Sequence, residues 1–221
     1  AGATVYVTGR TVTAGSAAFA GTIGETAAEC NRRGKKSGGK AIAVAVDLLE
    51  DKQIEALFEQ VKREQGRLDI LINNAMTIPS DMTEPVGFWN KPLTNWDTFD
   101  TGVRAAFIAA RCAAKIMVPQ KTGLMVALSG YVGVTYTYDV IFGTTKSATD
   151  RMARDMAVEL KPYKVASLSL WQGFTLTERA QDNLKKIPGM ASQLNSAAAC
   201  SPEFPGRVIA ALAADPKLML K

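Results

Sequence analysis

The stretch LDILINNAM, residues 68–76, decides how the rest of the sequence is interpreted. Its first part is apolar apart from Asp69, which predicts a buried strand over residues 68–72. The strand is followed at once by two asparagines and an alanine. In sheets of parallel strands, ligands bind beyond the carboxyl ends of the strands. We therefore interpret Asn73, Asn74 and Ala75 as the edge of a binding site.

Strands and helices alternate along the whole chain. Strands are predicted over 3–8, 40–48, 68–72, 123–129 and 165–173, and helices over 24–36, 51–66, 96–117, 141–160 and 202–214. In the second helix, apolar residues recur at intervals of three and four from Ile54 to Val61, which is the period of an amphipathic helix. This alternation predicts an α/β fold with a doubly wound parallel sheet. Without a repeat or a linker, residues 1–221 are predicted to form a single domain.

The composition excludes several classes of protein. The chain has 221 residues, of which 47% are hydrophobic, so it can form a sizeable core. It has no histidine, so zinc hydrolase and Ser–His–Asp chemistry are not expected and no metal site is predicted. The net charge of +5 comes from basic residues spread along the chain, and no nucleic-acid partner is predicted. No apolar run is long enough for a membrane span.

The cysteines and the opening residues bear on where the protein works. Cys30, Cys112 and Cys200 are odd in number and widely spaced, which is typical of reduced thiols rather than of a disulfide framework. The opening sequence AGATVYVTGR lacks the charged region and the cleavage site of a signal peptide. These features predict a cytoplasmic location.

The predicted strand ends carry short motifs in a fixed order. They are TGR at 8–10, VDL at 46–48, NNA at 73–75, a strand ending at Ser129, a helix with Lys146, and QGFTLT at 172–177. This order resembles the short-chain dehydrogenase/reductase family over essentially the whole chain, and LDILINNA is its most specific piece. Met76 and Gln172 depart from the family pattern, which has Gly and Pro there. The resemblance implies a Rossmann fold that transfers hydride between a nicotinamide cofactor and a small carbonyl or alcohol substrate.

The resemblance also implies which residues would bind the cofactor. Arg10 stands where an Asp would hold a ribose 2′-hydroxyl, and an Arg pairs instead with a 2′-phosphate, so NADP is the implied cofactor. The alternative is that Arg10 is a solvated surface residue. The other implied contacts are Asp47, Leu48, Asn73, Asn74, Ala75, Lys146, Gly173, Thr175 and Thr177.

The strongest motif of the family, the glycine-rich TGxxxGxG loop that holds the pyrophosphate, is not found in the sequence. The gap of 26 residues from Asp47 to Asn73 matches the family's spacing between its third and fourth strand ends, so residues 3–8 correspond to the second family strand. We therefore expect the first strand with its loop, and also the last strand, to be absent. The sheet would then be incomplete and cofactor binding would be weak.

The catalytic positions are altered as well. In the family, a Tyr transfers the proton, a Lys one helical turn later lowers the pKa of that Tyr, and a Ser binds the substrate oxygen. Lys146 is retained, but Phe142 occupies the Tyr position and has no exchangeable proton. Ser129 is the candidate for the Ser, whereas the usual alignment of paired serines places the reactive one at Gly130. Three upstream tyrosines are alternative proton donors: Tyr131, Tyr136 and Tyr138.

The family pattern also concerns the choice of substrate and one position in the long helix. Substrate choice is set by the loop at 76–95 and by the segment after Gly173. In that loop, Phe88 and Trp89 either line an apolar pocket or cap the sheet. A frequent family Asn in the long helix before the central strand falls on Gly102.

Three functions follow from these observations. The first is an NADP-dependent oxidoreductase by descent, impaired by Phe142. The second is a non-catalytic module that binds a nucleotide or dimerises. The family commonly dimerises through the helices matched here by 96–117 and 141–160, so the resemblance implies a homo-oligomer. The third is a fragment without a function.

Overall fold

The computed structural model describes residues 2–15, 21–186, 199–215 and 217–218. The chain forms two compact units, Ala1–Leu57 and Phe58–Lys221. Helix α2 (Asp51–Gln65) crosses the boundary between them. The single domain over residues 1–221 stays a prediction.

The first unit is built on a parallel βαβ motif. Strand β1 (Thr4–Gly9) pairs in parallel with β2 (Lys40–Ala45), and helix α1 (Ile23–Gly34) connects them. A capping box begins α1, because the Thr22 hydroxyl accepts from the Glu25 N–H at 3.0 Å while the Glu25 carboxylate accepts from the Thr22 N–H at 2.8 Å. The predicted strand–helix–strand order of this segment is confirmed.

Strand β1 is less buried than its sequence predicts. The run ATVYVT predicts a buried strand, but Val5 is 48% exposed. Among the described strands, β1 pairs only with β2, so one of its edges has no neighbour in its own sheet. The prediction that residues 3–8 form a buried strand is therefore wrong in its burial. The absence of a further strand from the sheet stays a prediction.

The second unit contains a three-stranded parallel sheet. Strand β4 (Gly123–Ser129) lies between β3 (Ile70–Asn73) and β5 (Val165–Trp171). Because β4 has a neighbour on each side and is covered on both faces, nearly every side chain along it is buried. Its bounds are those predicted from the sequence. The ends of the other predicted strands differ from the observed ones by a few residues.

The two faces of β4 are covered by different helices, because alternate residues of a strand point to opposite sides. On one face, Leu124, Val126 and Leu128 pack with Ile209 of α7 (Glu203–Ala214). On the other face, the Ser129 hydroxyl donates to a carbonyl of α5 (Val140–Leu160). The predicted α/β class, with helices on both faces of a parallel sheet, is confirmed.

Two long helices are the main helical elements of the second unit. They are α4 (Ala105–Gln120) and α5. The alanines of α4 are almost all buried, which lets its backbone approach the sheet closely. An α-helical turn, α3 (Asp97–Phe99), and a π-helical turn (Asp100–Arg104) precede α4 directly. The predicted helix at 96–117 therefore forms, but with a π turn that the sequence did not reveal.

Several shorter elements were not predicted. Helix α6 (Glu178–Lys186) follows β5, and strand β6 (Phe174–Thr175) pairs in parallel with β7 (Ala199–Cys200). Two 3₁₀ turns, Phe88–Asn90 and Leu93–Trp96, shape the loop between β3 and α3. In the part of the chain that the structure describes, no helix is both long and apolar enough to cross a membrane.

Candidate active site

The residues after β3 form one side of the candidate site. The Asn73 side-chain amide donates to the carbonyl of Ala106 in α4, with N and O 3.3 Å apart. This bond ties the end of the strand to the helix, while Asn74 and Ala75 remain exposed. Asn74 and Ala75 therefore lie exposed just after the end of β3. The Asn73 amide instead makes a structural hydrogen bond to α4.

Helix α5 carries the candidate catalytic positions, and its start is fixed by Asp139. One carboxylate oxygen of Asp139 accepts from the Phe142 N–H at 2.7 Å, and the Asp139 carbonyl accepts from the Gly143 N–H at 3.3 Å. An N-cap of this kind satisfies an N–H group that has no partner inside the helix. It sets the position of the first turn, from which Phe142 projects.

Lys146 lies one turn after Phe142 on the same side of α5. Its Nζ donates to the carbonyl of Leu128 at 2.8 Å and lies 6.0 Å from the centre of the Phe142 ring. Burial lowers the pKa of Lys146, and the nearby carboxylate of Asp150 partly opposes this shift. The structure thus brings Lys146 together with the end of β4 and with the ring at the Tyr position.

Asp150, whose carboxylate raises the pKa of Lys146, was not singled out from the sequence. The indole N–H of Trp171 donates to both Asp150 oxygens, at 3.0 and 3.1 Å. The Tyr131 ring packs edge-on against Trp171 at 6.2 Å between centroids. The spacing of Asp150 four residues after Lys146 was the available sequence signal, since residues so spaced share a helix face.

The three upstream tyrosines have other contacts among the described residues, and their role as alternative proton donors stays a prediction. Tyr138 packs edge-on against Phe142, with ring centres 5.8 Å apart, and burial raises the pKa of its phenol. The Tyr136 hydroxyl donates to the Tyr138 carbonyl at 3.2 Å, and the Tyr131 ring is held at Trp171.

Ser129 and Gly130 have different surroundings. Ser129 is only 3% exposed, and its hydroxyl donates to the Lys146 carbonyl at 3.3 Å. This hydrogen bond connects α5 to the sheet and leaves the Ser129 hydroxyl buried rather than exposed to solvent. A Cβ added to Gly130 would meet no atom within 4 Å. Ser129 is therefore buried and Gly130 lies in open space, and the choice between them as the substrate-binding position stays a prediction.

Gly102, which matches the family Asn, lies in the π turn before α4. A Cβ at this position would lie 2.7 Å from the methyl group of Thr145 and 3.2 Å from Cγ of Met76. Met76, one of the two departures from the family pattern, therefore occupies space beside Gly102. An Asn side chain does not fit there without displacing buried atoms.

The segment after β5 is held by its own local contacts. Gly173 adopts a positive φ of 71°, a conformation that favours glycine. The Thr175 hydroxyl lies 3.6 Å from the Cys200 sulfur, and the Thr177 hydroxyl accepts from the Ala180 N–H at 3.2 Å at the start of α6. Both hydroxyls thus have structural partners, and their contact with a cofactor stays a prediction.

The candidate adenosine-binding residues lie in the first unit. The Arg10 guanidinium, 62% exposed, is 3.9 Å from an Asp47 oxygen. The other Asp47 oxygen accepts from the Leu49 N–H at 3.0 Å, and Leu48 is half-buried. The loose Arg10–Asp47 contact leaves the guanidinium accessible, so its chemistry fits a phosphate. The described residues contain no glycine-rich turn to hold a pyrophosphate, so the fit to a dinucleotide is partial.

A buried ionic cluster beside α5 was missed in the sequence. Lys91 Nζ lies 3.6 Å from an Asp139 oxygen, and the pair borders a cavity of about 180 Å³ with largely apolar walls. Asn95, also buried, donates its amide to both oxygens of Asp81 at 2.9 and 3.2 Å. No local pattern marks these pairs, because their members lie on separate segments.

The fold and this site define a class of protein: an α/β nucleotide-binding enzyme with a lysine on the helix that follows its central strand. A family model described as "short chain dehydrogenase" matches residues 3–188. Dehydrogenase/reductase SDR family member 1 from Mus musculus is 35% identical to this chain, over 99% of the chain and 69% of that protein. The Homo sapiens protein of the same name is 33% identical over the same shares.

A solved structure agrees with this assignment at the level of the fold. The crystal structure of gox2181 superposes with a TM-score of 0.77 at 19% identity, covering 96% of this chain and 88% of that one. The chain belongs to the short-chain dehydrogenase/reductase family, whose members are oxidoreductases that generally bind NAD(P).

Proposed function

We propose that this chain descends from NADP-dependent oxidoreductases that act on small carbonyl or alcohol compounds. We further propose that its own catalytic activity is impaired. The observation that carries the proposal is Phe142. Its ring occupies the position one turn before Lys146, and the Lys146 ammonium lies 6.0 Å from the ring centre. A phenol in that place would have an ammonium nearby to lower its pKa, but a phenyl ring has no proton to give.

The chemistry that this chain's residues perform is correspondingly limited. A bound nicotinamide cofactor would supply the hydride. Lys146 is held by the Leu128 carbonyl and can orient polar groups at the end of β4. No side chain at the Tyr position can protonate the oxygen of a reduced carbonyl. Acid–base help of this kind contributes roughly 10²–10⁴-fold in rate.

The surroundings of Phe142 support the same proposal. Gly130 has no hydroxyl, although there is space for a side chain at this position. At Gly102, buried atoms occupy the space that the family Asn would need. Phe142 and Gly130 therefore lack the polar groups that the family resemblance implies for proton transfer and substrate binding, and the Gly102 departure weighs less. NADP rather than NAD is favoured by the exposed guanidinium of Arg10.

The test is NADPH-dependent reduction of a reactive diketone by the natural chain and by Phe142→Tyr. The natural chain is expected to be silent and the Phe142→Tyr variant active. Phe142→Leu is the matched control, because it changes the ring without adding a hydroxyl and is expected to stay silent. Equal activity of the natural chain and the Phe142→Tyr variant would reject the proposal.

A non-catalytic role in self-association is the second candidate. The helices α4 and α5 are those that the family resemblance associates with dimerisation, and each exposes a large apolar side chain: Phe107 is 51% exposed and Val158 71%. We therefore expect a homo-oligomer through these helices, in the cytoplasm. Sedimentation at micromolar concentration is the check, with Val158→Glu expected to weaken association. A monodisperse monomer would count against this role.

A further inference from the structure

A buried ion pair connects the loop before α3 with the start of α5. The side chains of Lys91 and Asp139 are only 8% and 5% exposed, and their charged atoms lie 3.6 Å apart. Lys91 Nζ also donates to the carbonyl of Asp81 at 2.7 Å. The ammonium thus gathers a carboxylate and a carbonyl from separate segments of the second unit.

Asp139 divides its carboxylate between two tasks. Oδ2 faces Lys91, while Oδ1 accepts from the Phe142 N–H at 2.7 Å and caps α5. A change in the position of Lys91 therefore acts on the same carboxylate that sets the first turn of α5. The Asn95–Asp81 bond anchors the loop from which Lys91 extends.

Burial of this pair points to a specific positioning role. Taking two charges out of water is costly, and apolar residues of similar size often stabilise a fold as well as a buried pair does. In some proteins a buried pair instead fixes the geometry between the segments that it joins. Here one of those segments is the turn that bears Phe142 and precedes Lys146.

We propose that Lys91 is a positioning residue for the candidate active site: it fixes Asp139, and through Asp139 it fixes the first turn of α5. The importance of that turn for catalysis rests on the proposed function. The contacts of Lys91 and Asp139 are independent of it. The proposal is therefore tested by amide hydrogen exchange and by an NMR titration, without any measurement of catalysis. Its failure can thus be distinguished from failure of the proposed function.

The experiment compares Lys91→Met and Lys91→Arg in the full chain. The readouts are hydrogen exchange of the Phe142 amide and an NMR titration of the Lys146 side chain, both at a temperature where the protein is folded. Lys91→Met is expected to raise the exchange rate of the Phe142 amide at least tenfold and to shift the Lys146 titration. Lys91→Arg, which restores a cation, is expected to reverse most of both effects. Lys62→Met, at an exposed position of α2, is the matched control and is expected to change neither.

Asp139→Asn is the second variant, because it keeps an acceptor for the Phe142 N–H but removes the charge facing Lys91. It is expected to raise the exchange rate of the Phe142 amide, as Lys91→Met does, because Lys91 no longer fixes the side chain at position 139. If Lys91→Met does not fold, Asp139→Asn decides the question. Folded variants in which the Phe142 exchange rate and the Lys146 titration match those of the natural chain would overturn the proposal, even where their stability is reduced.

Discussion

Lys146 is the residue around which the candidate site is organised, and two opposing influences set its proton affinity. Burial lowers the pKa of its ammonium, and the Asp150 carboxylate raises it. The Trp171 indole holds that carboxylate by hydrogen bonds of 3.0 and 3.1 Å. The charge at the site therefore depends on a residue outside the family motif.

Asp150→Asn is expected to lower the pKa of Lys146 further, because it removes the influence that opposes burial. The lysine then loses its proton at a lower pH, which an NMR titration of its side chain measures. The unfolded chain binds more protons than the folded one between the lowered pKa and 10.5, so the stability contribution of Lys146 rises with pH across that window. Asp155→Asn, on the same helix and paired with Arg151, is the control. An unchanged pKa in Asp150→Asn would show that Asp150 does not act on Lys146.

Individual positions were predictable from sequence where their role depends on local spacing. Phe142 and Lys146 were placed together because four residues make about one turn of an α-helix. Sequence could not tell that Ser129 is buried while Gly130 lies in open space, because the two positions are adjacent. The Lys91–Asp139 pair was not predictable, since it depends on how two separate segments pack.

At the scale of secondary structure, two glycines of the site have contrasting packing. Gly102 lies inside the π turn Asp100–Arg104, against the fully buried Thr145. Gly130 follows β4, in extended backbone and open space. Only the first of these positions has a steric need for glycine.

Gly102→Ala is expected to destabilise the protein by about 1–3 kcal/mol, because the new methyl group overlaps buried atoms. Gly130→Ala is its matched control, with an expected change within about 0.5 kcal/mol. Urea denaturation of both variants measures the difference. Equal stability of the two variants would mean that the packing around Gly102 is looser than the structure indicates.

Elements were predictable in proportion to the regularity of their apolar pattern. The continuous apolar run of β4 and the three–four spacing in α2 located these two elements from sequence. Helix α6 was missed because its sequence, ERAQDNLKK, has few apolar residues to mark a face. The π turn was missed because its insertion of one residue per turn leaves no local compositional mark.

At the scale of the whole molecule, the family and fold were predictable because short motifs fall at successive strand ends in a fixed order. Val5 of β1 and Ile72 of β3 are each 48% exposed, although both strands are apolar runs. Each of these strands lies at an edge of its own sheet, which an apolar run does not indicate.

The 221-residue chain is expected to bind NADPH weakly, because no glycine-rich loop is present in its sequence to contact the pyrophosphate. Calorimetric titration of the chain with NADPH and NADH measures this. Any preference for NADPH should be lost in Arg10→Asp, while Arg33→Asp, on the surface of α1, serves as control. Submicromolar affinity of the natural chain would show that the phosphate site lies elsewhere.

The most direct test of the account is the ratio of NADPH-dependent diketone reduction by Phe142→Tyr to that by the natural chain. Both proteins are measured at the same NADPH concentration, so weak cofactor binding lowers both rates alike and leaves their ratio unchanged. Because the variant regains a proton donor one turn before Lys146, we predict a ratio of at least tenfold, as part of the roughly 10²–10⁴-fold that general acid catalysis contributes. Equal and measurable activity of the two proteins, a ratio of one, would contradict the claim that Phe142 is what silences this site.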